Sequence, residues 1–306
     1  MDLGEALLLK DAKIALKKVI DPKMESNNSF ELLMQSYDYF LNRANASERD
    51  YENREFAKMI YSELGWDDVN GSYDVINSFY GIFKCALVYT DVFNENDNIS
   101  TAYRFGEKGQ FEYRTCYGYT RIGKKKHVRK ILGKDYTCHK AVQKFIREDK
   151  NGKDIVQFSS LCHCVANFMP CPDRNFNEAK GCLNDVRDYL PLMVDKIQEC
   201  IDTKSNLEYV YDKQNKFIPN SKLNDWHNWL VENREKYCLE PYYYIKKEND
   251  ETRIIGIPIF KAQSLKNPVP KSKGEVDECI NEIIKRIRCR ANLIVHKYQD
   301  FKVNVG

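Results

Sequence analysis

The sequence predicts an α+β protein, mainly helical, with a helical core, one β-hairpin and a second short strand region. Three observations predict it. Apolar residues recur at helical spacing in several long segments. The period falls to two between Tyr103 and Thr120. A weaker strand signal lies between Tyr242 and Phe260.

Taken in order, residues 2–20 carry Leu7, Leu8, Ile14, Leu16 and Ile20 among lysines. Asp2 is the expected N-cap and Asp21-Pro22 the stop. A second helix is expected from Ser29 through Leu32, Leu33, Tyr37, Phe40 and Leu41. A third runs from Ser47 through Phe56, Met59, Ile60 and Leu64 to Gly65. Val75, Ile76, Phe79, Ile82, Phe83 and Leu87 predict a buried helix over residues 73–90. Tyr103, Phe105, Phe111, Tyr113, Tyr117 and Tyr119 then alternate with Arg104, Glu112, Arg114 and Thr120 around Gly106-Glu107-Lys108-Gly109, a hairpin pattern.

Residues 137–148 read as helix, and Ile155 to Phe158 as a short strand or the start of the next helix. A helix is expected from Asp185 to Ile201, with Pro191 kinking it or resetting its start. Residues 202–220 are polar and read as an insertion. Residues 222–237 form a helix with Trp226 and Trp229 as a packing stripe. Strands are expected from Tyr242 to Lys246 and from Arg253 to Phe260, then a loop over 267–274. A final helix spans 275–297, with Val276, Ile280, Ile283, Ile287 and Ile294 on one face and a Glu282–Arg286 pair. The expected organisation is one compact unit. Residues 1–90 are its helical part, 91–135 its hairpin and basic turn, and 136–306 its Cys-rich core segment and C-terminal helices.

Composition narrows the class. The 306 residues include 48 Lys and Arg against 45 Asp and Glu, a net charge of +3, which excludes a histone-like or acidic-tail protein. With 14 Gly and 9 Pro the chain is neither collagenous nor low-complexity. Its longest apolar run, Ile254 to Phe260, falls far short of the roughly 20 residues of a membrane span. The N-terminus lacks the basic start of a signal peptide. A cytoplasmic protein with no membrane partner is expected. Eleven cysteines, an odd number, fit reduced thiols better than a closed disulfide framework.

Five of the 16 Cys and His residues, Cys162, His163, Cys164, Cys171 and Cys182, crowd into 21 positions. A structural zinc module is one reading, with Cys138-His139 completing it. The paired C-x₂₋₄-C spacing of standard sites is lacking, which favours cysteines that pack as small hydrophobes, and no metal ligand is assigned. His163 and Asn167 are four apart and would share one face of a helix.

His163-x-x-x-Asn167-Phe168, with Pro172 and Asn177, resembles the H-x-x-G-N-L…N run of HNH (ββα-metal) nuclease domains. The resemblance implies catalytic roles for His163 and Asn167 and a divalent metal at the scissile phosphate. The run departs from the family pattern in two places. Ala166 stands in place of Gly, and no acidic-His pair lies upstream. That reading needs both residues to open into a cleft. More broadly, residues 70–240 resemble a poorly characterised bacterial protein family. The likeness is carried by Val75-Ile76-Asn77-Ser78-Phe79, Leu161 to Pro172, Asn177, Lys180-Gly181 and Trp229 to Asn233, and it implies a shared fold. Buried amides at Asn77 and Asn167 that satisfy backbone groups are the alternative to catalysis. Pro172-Asp173…Glu178-Ala179-Lys180 mimics a PD-(D/E)-x-K nuclease signature, with too few intervening residues for its sheet.

Gly123 to Lys130 is the strongest basic run. Lys124, Lys125, Lys126 and Arg129, with Arg114 in the Tyr-rich hairpin, are the candidate nucleic-acid contacts. Phosphate-loop, dinucleotide, nucleophile-elbow and zinc-protease motifs are absent. The function expected is a cytoplasmic interaction or regulatory protein, partnered by DNA, RNA or another protein and linked to defence against foreign DNA. The alternative is an HNH-like nuclease, the one reading that requires a cofactor, a divalent metal.

Overall fold

The computed structural model describes residues 30, 33, 34, 55–66, 72–77, 103–105, 111–115, 118–123, 161, 164–182, 188–211, 214–249 and 251–298. Within them helices alternate with small antiparallel strand sets, an α+β arrangement. The expected helices over 2–20 and 137–148, the segment 155–158, His163 and the basic run with Lys124, Lys125, Lys126 and Arg129 lie outside the described residues. No described helix is long and apolar enough to cross a membrane.

Helix α1 (Glu55–Glu63) ends where the sequence placed a stop. Gly65 adopts φ +65°, and the amides of Gly65 and Trp66 close on the carbonyls of Ser62 and Tyr61. This is a Schellman end, which wants a residue without a Cβ at that left-handed position. Trp66 is then buried, with Tyr73 OH donating to its carbonyl at 2.6 Å. Tyr61 stacks on Tyr73 at 3.8 Å between ring centroids.

The helix expected over 73–90 is corrected at its start. Tyr73–Val75 is strand β1, paired antiparallel with β5 (Phe168–Pro170). All six residues are buried, so the stretch lacks the alternation that marks a half-exposed strand. The hairpin region also gains a strand. β2 (Tyr103–Phe105), β3 (Phe111–Thr115) and β4 (Gly118–Gly123) form a three-stranded antiparallel meander. Tyr119, expected in the second strand of the hairpin, lies in this third strand.

After a short 3₁₀ turn at Val165–Asn167 and β5, helix α2 (Arg174–Cys182) leads towards α3 (Leu190–Asp202). Pro191 sits in the first turn of α3, where its missing N–H costs nothing, so it resets the helix start without a kink. The polar segment 202–220 is corrected from an insertion to a hairpin, β6 (Leu207–Tyr211) with β7 (Gln214–Ile218). Leu207 and Tyr209 are buried while Glu208 and Val210 face out. The outward half of such a strand supplies the polarity that read as a loop.

Helix α4 (Asn220–Asn233) buries Leu223, Trp226 and Leu230. β8 (Tyr243–Glu248) and β9 (Glu251–Gly256) pair where a strand region was expected, although β9 stops at Gly256 and not at Phe260. β9 lies against α3: the Gly256 amide donates to Asp195 at 2.7 Å, and the Ile254 amide to Gln198 at 2.9 Å. A Cβ on Gly256 would stand 2.1 Å from the Pro191 carbonyl oxygen, so this approach admits glycine alone.

Helix α5 (Lys273–Lys297) is the longest described element. Ser272 and Glu275 close a capping box at its start. Val276, Cys279, Ile280, Ile283, Ile287, Ala291 and Ile294 form its buried stripe. That stripe packs on the 3₁₀ turn and so joins the C-terminal helix to the Cys-rich segment. One hairpin plus one strand region therefore becomes four small antiparallel sheets among the described residues.

Candidate functional site

The conspicuous chemistry gathers where β1, β5, α2 and the start of α3 meet. Asn167 ends the 3₁₀ turn and has no exposed surface. Its Oδ1 accepts from the Asn77 amide at 3.2 Å, and its Nδ2 donates to the Asn77 carbonyl at 3.0 Å. The Asn167 carbonyl accepts from the Ile76 amide at 2.7 Å. The side-chain amide thus acts as one more peptide group, extending the β1–β5 ladder by a rung. Leu190 N–H closes the other side on the Ile76 carbonyl at 3.0 Å.

This is the geometry of a structural clamp. Both ends of the amide are occupied by backbone, and the residue is fully buried. The segment is a 3₁₀ turn followed by a strand over residues 165–170, not the helix that would set residues 163 and 167 on one face. The two asparagines also divide in behaviour. Asn167 satisfies backbone groups, whereas both polar atoms of the Asn77 side chain are buried without a hydrogen-bond partner.

Lys180 lies beside this clamp on α2 and is fully buried. Its ammonium meets three oxygens. The Val75 carbonyl accepts at 2.8 Å, Asp74 Oδ2 forms an ion pair at 2.8 Å, and Asp188 Oδ1 makes a close contact. Burial would lower the Lys180 pKa, but the two carboxylates outweigh it and push it upward. Burial pushes the Asp74 carboxyl up to about 6 against the pull of Lys180, and the Asp188 charge adds to the rise. One cation shared by two carboxylates leaves the cluster with one surplus negative charge, which favours the protonated form of buried Asp74.

The pH dependence follows from that direction. A carboxyl whose folded pKa is raised contributes stability fully below its unfolded value and loses it as pH rises through about 6. Acidification from pH 7 to pH 5 is expected to add about 1 kcal/mol through this group. Urea midpoints at pH 5, 6 and 7 should show a rise in the wild type that Asp74→Asn flattens. Parallel curves for the two proteins would remove Asp74 from the account.

The PD-(D/E)-x-K mimic falls apart in three dimensions. Asp173 Oδ1 caps α2 through the Phe176 amide at 3.0 Å. Its Oδ2 takes the Trp226 indole at 3.0 Å and Lys222 at 2.8 Å. Burial works against ionisation there, but these donors hold the carboxyl below its ordinary range. Glu178 pairs with Lys216 at 2.8 Å and Arg174 at 3.5 Å. Asp173, Glu178 and Lys180 therefore serve three separate sets of partners.

Arg290 reaches the same segment from α5. It is fully buried and donates to the carbonyls of Val165 at 3.2 Å, Ala166 at 2.9 Å and Tyr237 at 3.0 Å. Its guanidinium lies 5.4 Å from the Trp66 ring centroid. No carboxylate pairs with it among the described residues, and burial lowers its pKa.

Cys164 and Cys171 are both buried in the core. Burial pushes Cys164 up to about 12, and its Sγ donates to the Leu161 carbonyl at 3.2 Å. A thiol held neutral in this way is a packing group and not a ready metal ligand. Among the described residues no group of three or more His, Cys, Asp or Glu side chains is placed to hold a metal ion.

Arg114 lies on β3 of the meander. The register sets Arg104 and Arg121 both opposite Glu112, and Arg114 opposite Tyr119. Asp74, Asp188 and Arg290 are the important residues that sequence reasoning passed over. Only the Lys180-Gly181 pair pointed towards the cluster. No family model, curated protein or solved structure matches the chain.

Proposed function

We propose that the chain is an interaction or regulatory protein that binds nucleic acid, and that its Cys-rich segment is a structural keystone without a hydrolytic role. The observation that carries this reading is the meander. Its register pairs Arg104 and Arg121 with Glu112 and sets Arg114 opposite Tyr119, which brings three arginines and an aromatic residue onto one small sheet. The basic run of Lys124, Lys125, Lys126 and Arg129 follows directly in the chain. Cations beside aromatic residues suit a single strand, whose phosphates and bases they engage together. The sealed Asn167 amide supports the second half of the reading, because a catalytic asparagine must reach its substrate.

Fluorescence anisotropy of the full chain with labelled single-stranded DNA and RNA tests the proposal. Retention should weaken steeply with salt, and by about tenfold or more when Lys124, Lys125, Lys126, Arg129 and Arg114 are neutralised together. The same oligonucleotides should survive incubation with Mg²⁺ or Mn²⁺. Metal-dependent cleavage that Asn167→Ala abolishes in a still folded protein would restore the nuclease reading.

A further inference from the structure

Helix α5 has an inner face that holds the fold and an outer face that the fold leaves unused. From Ile283 to Lys297 the helix contains no acidic residue. Of its cations there, Arg286 and Arg290 point inward and bind backbone carbonyls. Lys285, Arg288 and His296 are exposed. With Asn281 and Asn292 they recur at helical spacing along one stripe, about 22 Å long at 1.5 Å per residue. An open groove of about 720 Å³ runs along this stripe and also touches Leu293 and Cys289.

We infer that this stripe is a second contact face for a nucleic-acid strand; the inference rests on the proposed nucleic-acid partner and assigns it a place on α5. Three features favour a strand over an acidic peptide. Lys285 and Arg288 offer exposed cations, and Glu282, one turn before them, already serves Arg286 at 3.0 Å and Lys285 at 3.2 Å. Such an exposed pair is weak and yields easily to a phosphate. Asn281 and Asn292 supply donors and acceptors together, which bases require and carboxylates do not. The groove's apolar contribution is half-buried Leu293 and the nearly sealed Ile284. An amphipathic helix needs a longer row of apolar anchors than these two residues provide.

The test compares three full-length proteins: wild type, Lys285→Glu with Arg288→Glu, and the chain neutralised at Lys124, Lys125, Lys126 and Arg129. Each is titrated with a 20-nucleotide single strand across a salt series. The α5 reversal should weaken binding by about tenfold or more and flatten the log–log salt slope by about 1.4, the share of two phosphate contacts on a single strand. Both residues are exposed, so the circular dichroism spectrum should be unchanged. The milder pair Lys285→Gln and Arg288→Gln replaces the reversal if it is not. Alkylation of exposed Cys289, mapped by mass spectrometry, should slow when the strand is bound.

Wild-type affinity in the α5 variant, with binding lost in the 124–129 variant, would overturn this face and leave the broader reading standing. No binding by any of the three would remove both. Binding of a polyglutamate peptide to the stripe as tight as that of the strand would overturn nucleic acid in favour of an acidic protein partner.

Discussion

Lys180→Met should destabilise the protein by about 3–5 kcal/mol, enough to unfold a marginal domain. The size follows from what remains behind. Buried Asp74 and half-buried Asp188 would be left with no cation between them, and the Val75 carbonyl would lose its donor. Arginine is no rescue, because its planar fork does not fit where a compact ammonium meets three converging oxygens. Removing the charge and its partners together should recover most of the loss. The triple variant Lys180→Met, Asp74→Asn, Asp188→Asn leaves no uncompensated ion, and buried pairs replaced whole are often near neutral.

Acid gives an independent reading of the same variant. Without Lys180 the Asp74 carboxyl loses the cation that pulls it down, so Lys180→Met should regain stability as pH falls, more steeply than wild type does. Urea unfolding at pH 5 and pH 7 measures this. A loss below about 1 kcal/mol at pH 7, or no recovery on acidification, would mean that the cluster is not the electrostatic centre described here.

The cluster was hardly legible in the sequence because its members are far apart in it. Asp74 and Lys180 stand 106 positions apart, and no local pattern joins them. Legibility followed locality elsewhere as well. The stop at Gly65, the start of α3 at Pro191 and the buried face of α5 rest on signals within a few residues, and each is found close to its expected place. Ser272 and Glu275 spell a capping box that was equally readable but passed over. Val75 and Ile76 misled because a strand buried on both faces has no period, so the flanking apolar residues lent it a helical one. The hairpin of β6 and β7 was hidden by its exposed residues. Asn167 was recognised as special, although its role depends on a partner segment 90 positions upstream.

Arg290→Leu should cost about 3–5 kcal/mol, and the reason is hydrogen bonding more than charge. The guanidinium ties the carbonyls of Val165 and Ala166, in the turn before Asn167, to that of Tyr237. Leucine fills part of the volume but leaves three buried carbonyls without these donors. Each such orphan costs about 1–3 kcal/mol. Arg290→Lys should fall between wild type and Leu, since one ammonium cannot span acceptors on two separate segments. Urea unfolding followed by circular dichroism ranks the three proteins, and equal midpoints for wild type and Arg290→Lys would show that the fork geometry is irrelevant.

The variant also separates the two faces of α5. Arg290 points into the core while Lys285 and Arg288 point out. At temperatures where Arg290→Leu remains folded, it should lose stability yet keep the salt slope of the wild type for a single strand. Charge reversal at Lys285 and Arg288 should do the opposite. One helix then carries two independent tasks, and a variant that moved both readouts together would show that the inner clamp sets the outer surface.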